Sequence, residues 1–312
     1  MNDELIFHHY PGSPFSEKVR LVFGFKHLAW RSVHIPAVMP KPDVVALTGG
    51  YRRTPVLQIG SDIYCDTALI CRVLERRAPE PALYPVETAG TAQMLAQWAD
   101  SALFWSCSAY TMQPAGIAGV FAGQPPEVVK AFAADRALFT AGMRRQSVAD
   151  ATAALHTYCG WLETHLGDGR DFLVRGTPSI ADFSVAHCLW FVHRAPALTT
   201  IFDTYPRLSA WLQRVRGFGQ GHPTPLDSGE ALAIAATSTP WAEVAVEPGL
   251  GFAAGDAVTV TPTDYGFDPS PGRLVGLSNE QVSIERWDER AGTVHVHFPR
   301  IGFQIKAQET RT

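Results

Sequence analysis

The spacing of apolar residues changes twice along the chain, and this change restricts the fold more than any other sequence feature. From about residue 5 to 80, strand-like runs alternate with helical segments in the order β-α-β, a linking segment, β-β and α. From about 88 to 222 only the helical period remains. Beyond about residue 250, five short strand-like runs follow one another, separated by turn residues. An α/β domain, an all-helical domain and a small β-barrel are therefore predicted.

The domain boundaries are placed where this pattern and the composition shift. We expect the α/β domain over 1–82, the all-helical domain over 88–222, and an SH3-like barrel over 251–308. Between the last two, residues 223–250 are rich in Gly and Pro and predict a linker with a further helical stretch. Because no candidate site residue lies in the barrel, a chain ending near Gly221 is expected to fold and keep its site.

Composition excludes several classes of protein. The net charge of −4 gives no basic field for nucleic acid or an anionic membrane, and no apolar stretch approaches the ~20 residues of a membrane span. The start MNDELIFHHY lacks the pattern of a secretory signal. The cysteines are odd in number and too scattered for a disulfide framework or a zinc site: Cys65, Cys71, Cys107, Cys159 and Cys188. We therefore expect a soluble protein of the reducing cytoplasm, with neither nucleic acid nor membrane as partner.

Residues 13–16 read SPFS at the mouth of the first predicted helix. Cysteines at both ends of such a segment are typical of thiol–disulfide oxidoreductases, but here the positions hold Ser13 and Ser16. Pro14 suits the first helical position, so Ser13 faces free backbone N–H groups and the positive end of the helix dipole. Ser13 cannot ionise there, yet it can donate a hydrogen bond to a thiolate supplied by another molecule. Ser16 is expected to be a surface residue of the first turn. As alternatives, Ser13 could be only an N-cap, and Tyr10 could be the hydroxyl donor.

Two further segments carry groups suited to a charged ligand. An X-Pro bond precedes the third strand, at Thr54-Pro55, and a cis bond there would turn the Thr54 backbone toward a cleft. Asp66 and Thr67 begin the next helix, whose N–H groups suit a carboxylate while the Asp66 side chain could accept from an amino group. Arg53 offers a cation for a second carboxylate. Asp66-Thr67 could also be a plain helix start.

These segments together resemble the cytosolic glutathione S-transferases. The resemblance rests on S-P-F at the first helix, R-T-P-V-L, G-S-D-I-Y-C-D-T-A-L-I, and S-I-A-D-F in the helical region, and it covers about residues 4–220. It implies a thioredoxin-like first domain and glutathione as co-substrate. At the helix start where this chain has Asp66-Thr67, members of the family more usually show Glu-Ser.

The resemblance also implies a role for each site residue. Ser13 corresponds to the hydroxyl that activates glutathione in serine-type members; the Thr54 backbone beside Pro55 would hold the cysteinyl moiety. The γ-glutamyl end would lie on Asp66 and Thr67, and the glycine carboxylate on Arg53. The implied reaction is attack of the glutathione thiolate on a small, largely apolar electrophile. A homodimer is expected on the same ground.

The pocket for the electrophile is the least defined part of the site. Trp98 and Trp105 lie seven residues apart on one predicted helix face, which fits either a pocket wall with Tyr10 nearby or a buried core stripe. No metal is predicted, because His295 and His297 share a strand face without a third ligand.

Two other functions compete with this interpretation. A non-catalytic interaction protein could use the transferase fold as a scaffold and the barrel as a docking module. A glutaredoxin-like reductase is disfavoured because the helix mouth holds no cysteine. The sequence names neither the electrophile nor a ligand of the barrel.

Overall fold

The first region of the computed structural model is an α/β domain that begins the chain. The structure describes residues 4–240 and 242–308. The elements of this region, in chain order, are β1 (Ile6–His9), α1 (Pro14–Phe25), β2 (Ala29–His34), α2 (Pro42–Thr48), β3 (Val56–Ile59), β4 (Asp62–Cys65) and α3 (Thr67–Arg77). β1 pairs in parallel with β2 and antiparallel with β3, and β3 turns back into β4 at Gly60-Ser61.

Helix α2 corrects the predicted linking segment between β2 and β3. Pro42 starts the helix and Gly49, in the left-handed conformation at φ 78°, ends it. The sequence signal is weak because the helix has only 7 residues, two of them the β-branched Val44 and Val45. Packing of Val44, Ala46 and Leu47 against the sheet stabilises it.

The second region is entirely helical, as predicted. Its helices are α4 (Ala89–Trp98), a π-helical turn (Ala99–Leu103), α5 (Phe104–Thr111), α6 (Pro114–Val120), α7 (Pro126–Phe139), α8 (Val148–His165), a 3₁₀ turn (Leu166–Asp168), α9 (Ile180–His193), a second 3₁₀ turn (Pro196–Phe202) and α10 (Pro206–Arg216). A capping box of Ser179 and Asp182 opens α9. Asp182 also accepts from the Leu173 backbone at 2.8 Å and from Trp211 Nε1 at 2.9 Å, which fixes α10 on α9.

The third region, as far as the structure describes it, holds one short strand, one helix and five longer strands. These are β5 (His222–Pro225), α11 (Ser228–Thr237), β6 (Ala257–Pro262), β7 (Ser270–Leu277), β8 (Gln281–Asp288), β9 (Gly292–Pro299) and β10 (Phe303–Ala307). β5 and α11 fall inside the segment predicted as a linker. β5 pairs in parallel with β2, and α11 buries Ala231 and Ala235 in a core shared with the first region.

The ten strands of the described ranges form one sheet, in the order β10-β6-β7-β8-β9-β4-β3-β1-β2-β5. β9 runs parallel to β4, with His295 opposite Asp62 and His297 opposite Tyr64. The C-terminal strands therefore cover an edge of the α/β sheet that would otherwise present unpaired N–H and C=O groups.

A core and a buried polar contact cross this junction. Ile6, Val33 and Ile63 of the first region belong to the same apolar cluster as Val260 and Val296 of the third. Beside them, His297 Nε2 lies 2.8 Å from Asp62 Oδ1, with both side chains inaccessible to solvent. A chain ending near Gly221 would lack these contacts, so it is no longer expected to fold on its own.

The predicted fold class is confirmed: a thioredoxin-like domain, an all-helical domain and a C-terminal strand-rich region of barrel type occur in that order. None of the helices in the described ranges is both long and apolar enough to span a membrane. His297 lies on Asp62 and His295 lies 3.4 Å from Glu285. Within residues 4–240 and 242–308, no group of three or more potential metal-ligating side chains occurs.

Candidate functional site

Ser13 lies at the mouth of α1, as the SPFS segment predicts. Its backbone is extended, with φ −78° and ψ 120°, and its Oγ accepts from the Ser16 N–H at 3.2 Å. The residue is only 2 % exposed. Among the described residues, no acceptor takes the proton of this hydroxyl, so Ser13 is both an N-cap and a free donor.

Ser16 differs from its predicted surface position. It is fully buried, and its Oγ has no hydrogen-bond partner in the described part of the chain. The reason is tertiary: α1 lies between the sheet and α9, so even the first turn of the helix is covered.

Two arginines fix the loop that leads into Ser13. Arg20 of α1 donates to the carbonyl of Pro11 at 3.0 Å, and Arg194 donates to the carbonyl of Gly12 at 2.9 Å. Arg194 follows α9 and also binds the Val120 carbonyl at 3.2 Å. The helical domain therefore helps to orient Ser13. Neither arginine belongs to a recognisable motif, so sequence reasoning missed both.

A buried ionic cluster lies behind α1. Lys18 Nζ is 2.5 Å from Asp100 Oδ2, and His187 Nε2 is 3.0 Å from Asp100 Oδ1. Burial favours the neutral acid, but Lys18 and His187 outweigh it and lower the pKa of Asp100. Burial lowers the pKa of His187, so the cluster holds one carboxylate, one ammonium and a neutral imidazole. It connects the α/β domain to two segments of the helical domain.

The Thr54-Pro55 peptide bond is cis. The Thr54 hydroxyl accepts from Lys41 Nζ at 2.9 Å, and the same ammonium donates to the Arg52 carbonyl at 3.2 Å. Burial, with Arg136 nearby, lowers the pKa of Lys41 to about 7. Sequence reasoning also missed Lys41, because this residue directly precedes α2, a helix that was not predicted.

Asp66 and Thr67 begin α3, as predicted. Asp66 has a positive φ of 73°, and its Oδ1 accepts from the Ala68 N–H at 2.9 Å. Burial raises the pKa of this half-buried carboxyl, while Arg53 and Lys18 act in the opposite direction. Thr67 is 4 % exposed. A non-glycine residue at positive φ is uncommon and is concentrated at functional sites.

Arg53 contacts the C-terminal region. Its guanidinium donates to the Asp264 carboxylate and to the Tyr265 carbonyl, and lies 3.7 Å from the centre of the Tyr265 ring. The residue is 7 % exposed. A ligand carboxylate at Arg53 would have to compete with these two acceptors or use the remaining N–H groups.

The aromatic candidates do not form one wall. The Trp98 ring meets Tyr158 of α8 at 5.3 Å, whereas the Trp105 ring meets Tyr265 at 5.0 Å. The π-helical turn Ala99–Leu103 lies between them and changes the residues per turn, so a seven-residue spacing no longer gives a common face. Tyr10 is half-buried, and its hydroxyl is 3.4 Å from Arg136 Nη2.

Comparison with known proteins decides the family. The sequence model of the glutathione S-transferase N-terminal domain matches residues 7–82, and that of the glutathione S-transferase C-terminal domain matches residues 145–214. A crystal structure described as a GST-like protein from Pseudomonas syringae is 43 % identical, covers 99 % of this chain and 100 % of its own, and has a TM-score of 0.82. The chain belongs to the glutathione S-transferase family.

Other solved structures, at lower sequence identity, share the fold alone. A glutathione S-transferase from Rhodospirillum rubrum F11 is 19 % identical over 68 % of this chain and 87 % of its own, with a TM-score of 0.51. FzlA from C. crescentus is 21 % identical over 80 % of this chain and 96 % of its own, also with a TM-score of 0.51. No significant match was found among curated protein sequences.

The chain is therefore glutathione S-transferase-like, and the residues that the sequence predicts to bind glutathione lie in three of its segments. The predicted residues lie at the mouth of α1, at the cis proline and at the start of α3. Their assignments to glutathione stay predictions. The third region of the chain, which neither domain match includes, reaches this site through Arg53.

Proposed function

We propose that this chain is a serine-type glutathione transferase in which Ser13 stabilises the glutathione thiolate. The observation that carries the proposal is the Ser13 hydroxyl proton, which has no acceptor among the described residues although the residue is almost fully buried. A thiolate beside it would accept this proton and lie at the positive end of the α1 dipole. Both effects lower the pKa of a bound thiol and increase the fraction of the nucleophilic form.

The remaining groups suit the other parts of glutathione. The Thr54 backbone beside cis-Pro55 would pair with the cysteinyl moiety, and the free N–H groups at the start of α3, with the Thr67 hydroxyl, would bind the γ-glutamyl carboxylate. The Asp66 carboxylate would accept from the γ-glutamyl amino group. Arg53 as a ligand of the glycine carboxylate stays a prediction, against which its contacts with Asp264 and Tyr265 weigh.

The reaction is nucleophilic attack by the thiolate sulfur on a small, largely apolar electrophile. A carbon–sulfur bond forms, and a leaving group departs with its electron pair or, in an addition, the product takes a proton from solvent. Trp105 is the aromatic candidate with better support as a pocket residue. Its ring contacts the Tyr265 ring, and the Arg53 guanidinium lies over that same Tyr265 ring. Trp98 contacts Tyr158 and has weaker support as a pocket residue.

The proposal includes a homodimer in a reducing cytoplasm and an SH3-like barrel at the C-terminus. The five cysteines are all buried free thiols, which suits a reducing compartment. The strands β6, β7, β8 and β9 form a four-strand meander, and the last strand, β10, pairs with β6. This order supports a small barrel. The dimer rests on the family resemblance.

Glutathione is expected to raise the melting temperature of the protein. A ligand at a hundred times its Kd stabilises the native state by about 2.7 kcal/mol, which corresponds to a rise of roughly 5 °C for a chain of this size. Differential scanning fluorimetry over a glutathione series measures it, with free cysteine as the control thiol. No rise at saturating glutathione in a folded sample would contradict the proposed site.

Turnover separates the enzyme from a non-catalytic scaffold. The protein is expected to conjugate glutathione to a nitroaryl halide, measured as absorbance of the thioether above the uncatalysed rate. Binding of glutathione without conjugation of any aryl halide, epoxide or enone tested would favour an interaction protein instead.

A further inference from the structure

The loop between β6 and β7, residues 263–269, extends from the C-terminal region to the candidate site. At its centre the Gly266 N–H donates to the Phe139 carbonyl of α7 at 2.9 Å. At its end the Ser270 hydroxyl accepts from the Tyr51 N–H at 3.2 Å. Gly50, with φ 150°, packs so closely on the Pro269 carbonyl that a Cβ there would clash with it. The loop is therefore attached to both the α/β domain and the helical domain.

Tyr265 occupies the middle of this attachment. Its ring meets Trp105 edge-on at 5.0 Å and 88°, and Phe139 at 5.1 Å and 90°. The Arg53 guanidinium lies over the same ring. Edge-to-face pairs and a cation over a ring face are both favourable arrangements, and Tyr265 is only 8 % exposed. The Tyr265 side chain of the third region thus contacts Arg53 of the α/β domain and both Trp105 and Phe139 of the helical domain.

The ion pair of Arg53 and Asp264 anchors Tyr265 in place. Arg53 is buried while the Asp264 side chain is 52 % exposed, so the loop brings its carboxylate to a buried guanidinium of the α/β domain. The Tyr265 carbonyl accepts from the same guanidinium. Loss of Asp264 would leave the buried cation without its carboxylate and loosen the loop.

We propose that the 263–269 loop forms one wall of the electrophile pocket, with Tyr265 as a specificity-determining residue that positions Trp105 and with the Arg53–Asp264 pair as its anchor. This inference rests on the proposed function. The Tyr265 hydroxyl has no hydrogen-bond partner among the described residues and can bind a polar group of a substrate. The wall therefore favours planar aromatic electrophiles with a polar substituent over small aliphatic ones.

The first test separates electrophile recognition from glutathione binding. Tyr265→Ala is expected to raise the KM for a nitroaryl halide about three- to tenfold, the range that an aromatic contact contributes. The Kd for glutathione and the KM for a small aliphatic epoxide stay unchanged, and Tyr265→Phe retains the aromatic selectivity except toward electrophiles with a polar substituent. An equal loss with both electrophiles, or no change with either, would overturn the proposal.

The anchor has a matched control outside the loop. Asp264→Ala is expected to change KM in the same direction as Tyr265→Ala. Asp203→Ala changes nothing, because this exposed aspartate lies outside the loop and the site and has no ion-pair partner among the described residues. If Arg53 acts through Asp264, Arg53→Ala adds little to Asp264→Ala in the double variant. A large loss of glutathione affinity in Arg53→Ala alone, with Asp264→Ala unaffected, would instead assign Arg53 to glutathione.

A binding measurement keeps the inference testable without catalysis. The fluorescent aromatic anion 8-anilinonaphthalene-1-sulfonate is titrated into the wild type and into Tyr265→Ala, both without glutathione. Weaker binding to the variant, measured at a temperature where melting curves show both proteins folded, supports the wall even if the wild type proves not to bind glutathione. Equal binding to both proteins contradicts the proposed wall. A wild type that does not bind glutathione contradicts only the proposed function.

Discussion

A chain ending at Gly221 is expected to be insoluble or to unfold at a much lower temperature than the full chain. The deletion removes β9 from the edge of β4 and uncovers a core that Ile6, Val33 and Ile63 share with the C-terminal strands. Each fully buried aliphatic side chain of this kind contributes about 1.5–3 kcal/mol. Exposing several of them costs on the order of 5–10 kcal/mol, which is comparable to the whole stability of a typical domain, about 5–15 kcal/mol.

The measurement compares thermal unfolding and size-exclusion profiles of the truncated and full chains. A useful control places a protease site in the exposed segment at Pro248–Gly251, so that the chain is cut after folding. The cut protein is expected to keep its C-terminal strands bound and its melting temperature high. A truncated chain that is monodisperse, unfolds cooperatively near the full-length temperature and binds glutathione equally well would show that the third region is an independent appendage.

Ser13→Ala is expected to reduce kcat/KM for glutathione conjugation by roughly ten- to a hundredfold near neutral pH. A hydrogen bond to a charged group contributes about 1.5–3 kcal/mol, and its loss disfavours the thiolate relative to the thiol. The pKa of the bound thiol therefore rises, and the ascending limb of the pH–rate profile moves to higher pH. At sufficiently high pH, where the thiol ionises without help, the variant should approach wild-type activity.

Ser16→Ala is the matched control for this variant. Ser16 lies in the same helical turn, but its buried hydroxyl has no partner among residues 4–240 and 242–308, so removing it should leave the pH–rate profile unchanged. Because Ser13 is also the N-cap, its replacement costs about 0.5–2 kcal/mol of stability, which a melting curve measures separately. Full activity with an unchanged profile in Ser13→Ala would transfer the donor role to Tyr10.

Pro-rich and Gly-rich composition misled the prediction for residues 223–250. The helical period of GEALAIAAT was visible, and α11 (Ser228–Thr237) confirms it. What the pattern lacked was any sign that Ala231 and Ala235 face a core, or that a strand with two prolines could pair with β2. An edge position tolerates those prolines because one side of β5 needs no partner.

The candidate site shows the same division between local and distant information. Ser13, Pro55, Asp66 and Thr67 were predictable because each lies beside its own signal, a helix start or an X-Pro bond. The roles of Arg20 and Arg194 were not predictable, because every residue has a backbone carbonyl and the sequence does not show which of them accepts from a guanidinium. Ser16 was predicted to be exposed for a related reason, because the sequence of a helical turn does not show which domain packs over it.

The sequence by itself determined the order of the three regions, the class of each and the segments that carry the chemistry. These depend on the period of apolar residues and on turn and cap residues, which act over a few positions. Only the tertiary structure decided that β9 joins β4 and that Arg53 pairs with Asp264, 211 positions away. Such contacts depend on shape and charge complementarity between completed elements, and hydrophobic periodicity, which describes one element at a time, contains no information about its partner.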